Sequence, residues 1–191
     1  KKRFYILLFF CLLLGGNVNS STVDKGDNNA PFENKRTETD YLPIADPFVM
    51  LYNNKYYAYG TGGTVNEGFA CFSSDDLKNW KRERQALSAD DSYGKWGFWA
   101  PEVYYIQSKK KFYMFYSVEE HICVATSDSP VGPFRQESKQ PIWEEKSIDT
   151  SLFIDDDGTP YLYFVRFTDG NVIWVAQMTD DLMKIKKETL S

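Results

Sequence analysis

The chain has 191 residues and a formal net charge of −5. This acidic balance gives no electrostatic basis for binding to nucleic acid or to an anionic membrane surface. Aromatic residues make up 17% of the chain, which suits either sugar binding, where flat rings stack on sugar faces, or a β-rich core. Composition leaves both interpretations open.

The first 21 residues have the pattern of a secretory signal peptide. Lys1-Lys2-Arg3 is a basic start, Phe4–Leu14 is an uninterrupted apolar run, and small residues follow near Ser20-Ser21. The apolar run is too short to cross a bilayer, which takes about 20 residues. Residues 22–40 are polar and are interpreted as a tether. We therefore expect an exported protein, periplasmic or extracellular, without a membrane span.

The cysteines raise two further questions. Cys11 lies in the apolar run and leaves a lipid anchor as an alternative, although the bulky Phe9-Phe10 before it disfavours lipid attachment. Cys71 and Cys123 remain after removal of the signal, but they do not occupy equivalent positions in the repeat described next. We expect them to be buried, unpaired thiols rather than a disulfide.

From residue 41 onward the chain repeats itself three times, at intervals of roughly fifty residues. The three copies open with Asp46-Pro47-Phe48-Val49, Ala100-Pro101-Glu102-Val103 and Asp149-Thr150-Ser151-Leu152. A second landmark keeps the same interval: Ser74-Asp75, Ser127-Asp128 and Thr179-Asp180. Repeats of this length that are built from short strands are typical of β-propeller blades.

Each copy contains three predicted strands, separated by turns rich in Asn, Asp, Gly and Lys. The predicted strands are Phe48–Tyr52, Tyr56–Tyr59, Phe69–Phe72, Val103–Ile106, Phe112–Tyr116, Ile122–Ala125, Leu152–Ile154, Tyr161–Val165 and Val172–Ala176. No stretch after the signal has a sustained helical period, so the predicted fold is all-β. Propellers close with about four to eight blades. We therefore expect residues 41–191 to be the N-terminal part of a propeller, with blades at about 44–90, 97–140 and 147–191.

Asp46 and Asp149 occupy the same place in the first and third copies. Because the first strands of propeller blades surround a common axis, both side chains should face one cavity. Paired carboxyl groups in a cavity are typical of glycoside hydrolysis, which needs a base to activate water and an acid to protonate the leaving oxygen. Each aspartate on its own could instead cap a turn by accepting backbone N–H groups. Their equivalent placement favours catalysis.

Five segments together resemble glycoside hydrolase family 43: Ala45-Asp46-Pro47-Phe48-Val49, Phe72-Ser73-Ser74-Asp75-Asp76-Leu77-Lys78-Asn79-Trp80, Phe98-Trp99-Ala100-Pro101-Glu102-Val103, Ala125-Thr126-Ser127-Asp128-Ser129-Pro130-Val131-Gly132-Pro133-Phe134 and Ser147-Ile148-Asp149-Thr150-Ser151-Leu152-Phe153. The resemblance extends from Tyr41 to Ser191. It implies a five-bladed β-propeller that removes α-L-arabinofuranosyl or β-D-xylosyl units with inversion. It also implies that Asp46 is the general base and that Asp149 raises the pKa of the general acid and orients it.

The resemblance places the general acid, a glutamate, at the start of a fourth blade beyond Ser191. We therefore expect these 191 residues alone to have little or no activity. Glu102 is a poor substitute for that acid, because it aligns with Phe48, two residues past the aspartate position.

Three further residues are candidates for substrate binding. Trp99 could be a stacking platform for a sugar or could simply pack between blades. His121, the single histidine, lies where the resemblance implies a subsite aromatic residue, and it could contact substrate. Arg166, which the sequence aligns with Ser117 and Thr61, could bond a sugar hydroxyl, neutralise the third-blade aspartate, or end a strand in solvent.

The sequence contains no metal-binding pattern. One histidine and two cysteines after the signal give no zinc ligand set, and Asp155-Asp156-Asp157-Gly158 lacks the spacing of a calcium loop and is predicted to be a hairpin turn. We expect no cofactor here, with a structural calcium left open for the complete propeller, and an oligosaccharide or polysaccharide as partner. Two alternatives remain: a carbohydrate-binding propeller without activity, and a related retaining, fructosidase-like propeller enzyme.

Overall fold

A computed structural model describes residues 42–63, 67–166 and 170–191. The predicted signal peptide, the tether and Cys11 lie outside the described residues. The described residues form β-strands and two short 3₁₀ helices, Ala89–Asp91 and Lys187–Thr189. None of the helices in this part of the chain has the length and apolar character needed to cross a membrane.

The described strands form three antiparallel sheets in which neighbours in sequence pair with each other. The first sheet contains β1 (Ala45–Tyr52), β2 (Lys55–Thr61), β3 (Gly68–Ser74) and β4 (Lys81–Ser88). The second contains β5 (Trp99–Ile106), β6 (Lys111–Val118) and β7 (His121–Ser127). The third contains β8 (Ser147–Ile154), β9 (Pro160–Arg166) and β10 (Val172–Gln177).

All nine predicted strands are confirmed, each as part of a longer strand, whereas β4 is not among the predicted strands. β4 pairs only with β3 and forms the edge of its sheet. Its sequence, Lys-Arg-Glu-Arg-Gln-Ala-Leu-Ser, has buried side chains only at Ala86 and Leu87. An edge strand that buries so little lacks the alternation of apolar and polar residues by which strands are recognised.

The central strand β6 shows how the sheets are stacked. Its side chains are buried from Phe112 to Val118, and they divide between two hydrophobic clusters. Phe112, Met114 and Tyr116 belong to a cluster shared with the first sheet, whereas Tyr113 and Phe115 belong to one shared with the third. Because successive side chains point to opposite faces of a strand, the second sheet lies between the other two. This face-to-face stacking is the arrangement of propeller blades.

The two cysteines of the described chain are free and buried in the cluster between the first and second sheets. This confirms the prediction of unpaired thiols. Burial raises the pKa of the Cys71 thiol and of the Cys123 thiol to about 12, so both are protonated near neutral pH and inert as nucleophiles.

The thiols should therefore be protected in the folded protein. In full-length protein at a pH of about 8, neither Cys71 nor Cys123 should react with a thiol-specific disulfide reagent, and both should react in denaturant. Mass spectrometry of labelled peptides, with Cys71→Ala and Cys123→Ala variants as references, measures this directly. Rapid labelling of either thiol under native conditions would contradict the burial described here.

Candidate active site

Each sheet begins with the same irregularity in its first strand. The pairing shifts register between Ala45 and Phe48 in β1, and the shift recurs at the corresponding place in β5 and β8. Within each bulge one residue that is not glycine has a positive φ: 46° at Asp46, 44° at Ala100 and 55° at Asp149. Such a conformation costs about 1–3 kcal/mol per residue. The bulge also redirects the side chains that follow the bend.

The three bulges surround one hollow of about 250 Å³. Its lining consists of the first three residues of each blade opening: Asp46–Phe48, Ala100–Glu102 and Asp149–Ser151. The structure thus brings Asp46 and Asp149 to one cavity. Ala100 takes the equivalent place in the second sheet, where it contributes no charge.

A hydroxyl group of the second strand orients the first aspartate. Thr61, at the end of β2, donates a hydrogen bond from its Oγ1 to Oδ2 of Asp46 at 2.7 Å. The same Oγ1 accepts the backbone N–H of Ala100 at 2.9 Å. One side chain therefore fixes both the Asp46 carboxylate and the bulge of the next sheet.

The same device joins the second and third sheets. Ser117 occupies in β6 the register position of Thr61 in β2, because Trp99 pairs with Ser117 as Ala45 pairs with Thr61. The hydroxyl of Ser117 accepts the backbone N–H of Asp149 at 3.0 Å. The position of Asp149 thus depends on a residue of the preceding blade.

The two aspartates interact through their charges. The surrounding protein displaces water from the Asp149 carboxyl and so raises its pKa, and the nearby Asp46 carboxylate raises it further. The side chain of Asp46 is exposed in the hollow. The Asp46 carboxylate is therefore close enough to affect the ionisation of Asp149.

Glu102 is a third acidic residue in the hollow. The register confirms that Glu102 is equivalent to Phe48 and Ser151. Glu102 pairs with Phe115 at the place where Phe48 pairs with Tyr59 and Ser151 pairs with Tyr163. In the sequence, the same equivalence argues against Glu102 as the general acid. The sequence did not show that the side chain of Glu102 faces the hollow, because the bulge between Trp99 and Glu102 breaks the regular alternation of strand faces.

Trp99 and His121 lie outside the set of residues that line the hollow. Trp99 is half-buried beside Ala100, and its ring lies against Gly97, where an added Cβ would be 3.1 Å from the ring. The Nδ1 atom of His121 lies 2.8 Å from the carbonyl oxygen of Glu119, and its ring meets the edge of Tyr93. Their proposed contacts with substrate stay predictions.

Arg166 requires a correction to the alignment. Pairing of β8 with β9 makes Val165, not Arg166, the equivalent of Thr61 and Ser117. Since neighbouring residues on a strand face opposite sides, Arg166 points elsewhere. It forms an ion pair with Glu145, and its guanidinium lies over the rings of Trp143 and Trp174, which are 5.9 Å and 4.4 Å away. In the contacts of the described residues, Arg166 neutralises Glu145 rather than Asp149.

In the part of the chain that the structure describes, no group of three or more His, Cys, Asp or Glu residues could hold a metal ion. The Asp155–Gly158 segment forms the hairpin turn between β8 and β9, and the N–H of Gly158 donates to the carbonyl of Asp155 at 2.8 Å. This confirms the prediction of a turn.

Removal of the Thr61 hydroxyl should lower the free energy of unfolding. Thr61→Val keeps the shape of the side chain but leaves the N–H of Ala100 without its acceptor, which should cost about 1–3 kcal/mol. Thr61→Ser keeps the hydroxyl and should lose less. Urea unfolding of full-length protein compares the two variants, and a loss in Thr61→Ser as large as that in Thr61→Val would contradict the stabilising role of the hydroxyl.

The charge of Asp46 should be measurable in the titration of Asp149. A negative charge makes ionisation of a nearby carboxyl harder, so Asp46→Asn should lower the pKa of Asp149. Carbon-13 NMR of aspartate carboxyl groups, assigned with Asp149→Asn, gives the titration curve. Asp156→Asn, in the exposed turn after β8, is the control and should change nothing. An unchanged Asp149 curve in Asp46→Asn would contradict the coupling.

The comparisons with known proteins agree with this geometry. The model of the family described as glycosyl hydrolases family 43 matches residues 42–191. The crystal structure of an endo-1,4-β-xylanase from Bacteroides thetaiotaomicron VPI-5482 is 86% identical, with a TM-score of 0.79, over 81% of this chain and 53% of that chain. The structure of a thermostable family-43 glycoside hydrolase is 36% identical, with a TM-score of 0.67, over 75% of this chain and 50% of that chain.

A curated relative gives the same picture. A probable arabinan endo-1,5-α-L-arabinosidase B of Aspergillus fumigatus is 27% identical over 178 residues, which cover 81% of this chain and 46% of that relative. The chain thus spans about half the length of the proteins it matches. The all-β propeller fold predicted from the sequence is confirmed. Since the family model covers most of the chain and the sheets have the expected order, the chain belongs to glycosyl hydrolases family 43.

Proposed function

We propose that the full-length protein is a glycoside hydrolase that removes or cleaves α-L-arabinofuranosyl or β-D-xylosyl units of plant-type polysaccharides or oligosaccharides, with inversion of configuration. One observation carries this proposal: the repeat-equivalent Asp46 and Asp149 line the same hollow, which is large enough for one sugar ring. A protein that only bound sugars would have no need for two coupled carboxyl groups beside strained backbone.

Asp46 is proposed as the general base. A base in an inverting enzyme must reach a water molecule on the face of the sugar opposite the leaving group. The Asp46 carboxylate is exposed in the hollow, and the hydrogen bond from Thr61 holds it in one orientation. A fixed and open carboxylate fits this role.

Asp149 is proposed to control the general acid. A negative charge close to an acid makes its ionisation harder and keeps it protonated near neutral pH. We propose that the acid is a glutamate. It would lie in the part of the propeller that the matched relatives contain and with which this chain does not align. Inversion requires a separation of about 6.5–9.5 Å between base and acid, which leaves room for the attacking water.

The substrate class rests on the relatives. Two of the relatives named above are described as an endo-1,4-β-xylanase and a probable arabinan endo-1,5-α-L-arabinosidase B. Trp99, half-buried beside Ala100 of the hollow, is the residue we assign to stacking on a sugar. Such substrates lie outside the cell, which agrees with the export predicted from residues 1–21.

The test measures hydrolysis by full-length protein of 4-nitrophenyl α-L-arabinofuranoside and β-D-xyloside, together with arabinan and xylan. Asp46→Asn should lower kcat/KM by about 10²–10⁴-fold, because the water loses its base. Proton NMR of the first product formed should show the inverted anomer. Asp156→Asn, which removes a carboxylate from an exposed turn, is the matched control and should retain activity.

Other outcomes would identify the alternatives. Product with retained configuration would favour the fructosidase-like enzyme, for which sucrose and levan are added to the panel. Binding of polysaccharide without hydrolysis, equal in wild type and Asp46→Asn, would favour a binding propeller. Full activity in Asp46→Asn would contradict its assignment as base.

A further inference from the structure

Glu102 is held in the hollow by a neighbouring phenol. The hydroxyl of Tyr104 donates a hydrogen bond to Oε2 of Glu102. The same hydroxyl accepts the backbone N–H of Leu152 in β8 at 3.2 Å, and the ring of Tyr104 packs against Phe48 at a centroid distance of 5.4 Å. Tyr104 is therefore anchored to the first and third sheets, and it fixes the Glu102 carboxyl between them.

The blade architecture does not require a carboxyl group at this position. The equivalent residues of the other two blades are Phe48 and Ser151, which are uncharged and form the same strand pairing. Partial burial of a carboxyl group is unfavourable unless other groups compensate it. Glu102 is half-buried, so the presence of an acid here needs a reason other than the fold.

The ionisation of Glu102 is coupled to that of Asp149. Burial raises the pKa of Glu102, and the Asp149 carboxylate raises it further, whereas hydrogen bonds from Tyr104 and Ser151 act in the opposite direction. Asp46 is the third titratable group of the hollow. The described residues of the lining include no lysine, arginine or histidine that could balance these charges.

We propose that Glu102 is a third carboxyl group of the active site, a positioning residue that Tyr104 holds near Asp149 and that extends activity on the alkaline side of the pH range. This inference rests on the proposed function. Burial and the Asp149 carboxylate both favour the protonated form of Glu102. At higher pH Glu102 ionises, and its added negative charge makes the general acid, which must face the same sugar, harder to ionise. The general acid then stays protonated up to a higher pH than it would with the charge of Asp149 alone.

The pH dependence of kcat/KM tests this inference. In full-length protein, Glu102→Gln should shift the alkaline limb to lower pH by about half a pH unit or more, since a like charge is lost from the hollow. The acidic limb should stay in place, because Glu102 is uncharged there. Glu102→Asp keeps a carboxyl group and should restore most of the alkaline limb. A residue with a purely structural role would lower the rate at every pH and leave both limbs where they are.

Tyr104→Phe provides an independent variant. It keeps the ring that packs on Phe48 but removes the hydroxyl that favours the ionised form of Glu102, so Glu102 should ionise at higher pH. The alkaline limb should then shift in the same direction as in Glu102→Gln. In the Glu102→Gln background, Tyr104→Phe should add no further shift. A thermal melt of each variant separates this effect from the stability lost at the N–H of Leu152.

A readout without activity keeps this inference separate from the proposed function. In carbon-13 NMR of glutamate carboxyl groups, assigned with Glu102→Gln, the pKa of Glu102 should fall in Asp149→Asn and rise in Tyr104→Phe. If no glycoside is hydrolysed, the proposed function fails, and these titrations still decide whether the two carboxyl groups are coupled. If the enzyme is active but Glu102→Gln moves neither limb, or moves both together, the inference is wrong.

Discussion

A side-chain hydroxyl that accepts the backbone N–H of the next sheet connects the fold to the site. Thr61 holds the N–H of Ala100, and Ser117 holds the N–H of Asp149, at matching places in β2 and β6. Each hydrogen bond joins one sheet to the next at the bulge in the first strand of that next sheet. The spacing of the sheets and the direction of the aspartate side chains are therefore set by the same contacts. A shift of one sheet against another would move the carboxylates.

This constraint explains how the protein maintains a strained backbone at three places. Asp46, Ala100 and Asp149 all have a positive φ, although none is a glycine. Such conformations persist only where the surroundings compensate for their cost. At Ala100 and Asp149 the cross-sheet hydrogen bonds contribute to this compensation, whereas at Asp46 the hydrogen bond comes from Thr61 of the same sheet to the side chain. Ala100 shows that the bend belongs to the blade, and that the carboxylates are added to it at two of three positions.

The electrostatics of the hollow follow from this arrangement. Asp46, Glu102 and Asp149 converge on a small space, and the described residues of its lining include no lysine, arginine or histidine. Burial, together with a neighbouring carboxylate, raises the pKa of Asp149 and of Glu102. Arg166 is the cation that the sequence had suggested as a partner of Asp149. It forms an ion pair with Glu145 instead, and its guanidinium lies over two indole rings. The charge of the site is thus governed by the carboxyl groups themselves.

The sequence alone determined nine of the strands, the repeat, and the equivalent positions of Asp46 and Asp149. Period-two alternation and a fixed repeat interval are local patterns that can be read from the order of the residues. It did not reveal β4, whose edge position buries too few side chains to leave a pattern. The sequence alignment of Arg166 with Thr61 and Ser117 was shifted by one residue, and only the strand pairing revealed this shift. A shift of one residue moves a side chain to the opposite face of the strand. Glu102 entered the site through tertiary structure alone. Whether a side chain meets Asp149 depends on how neighbouring sheets pack, and linear order does not contain that distance.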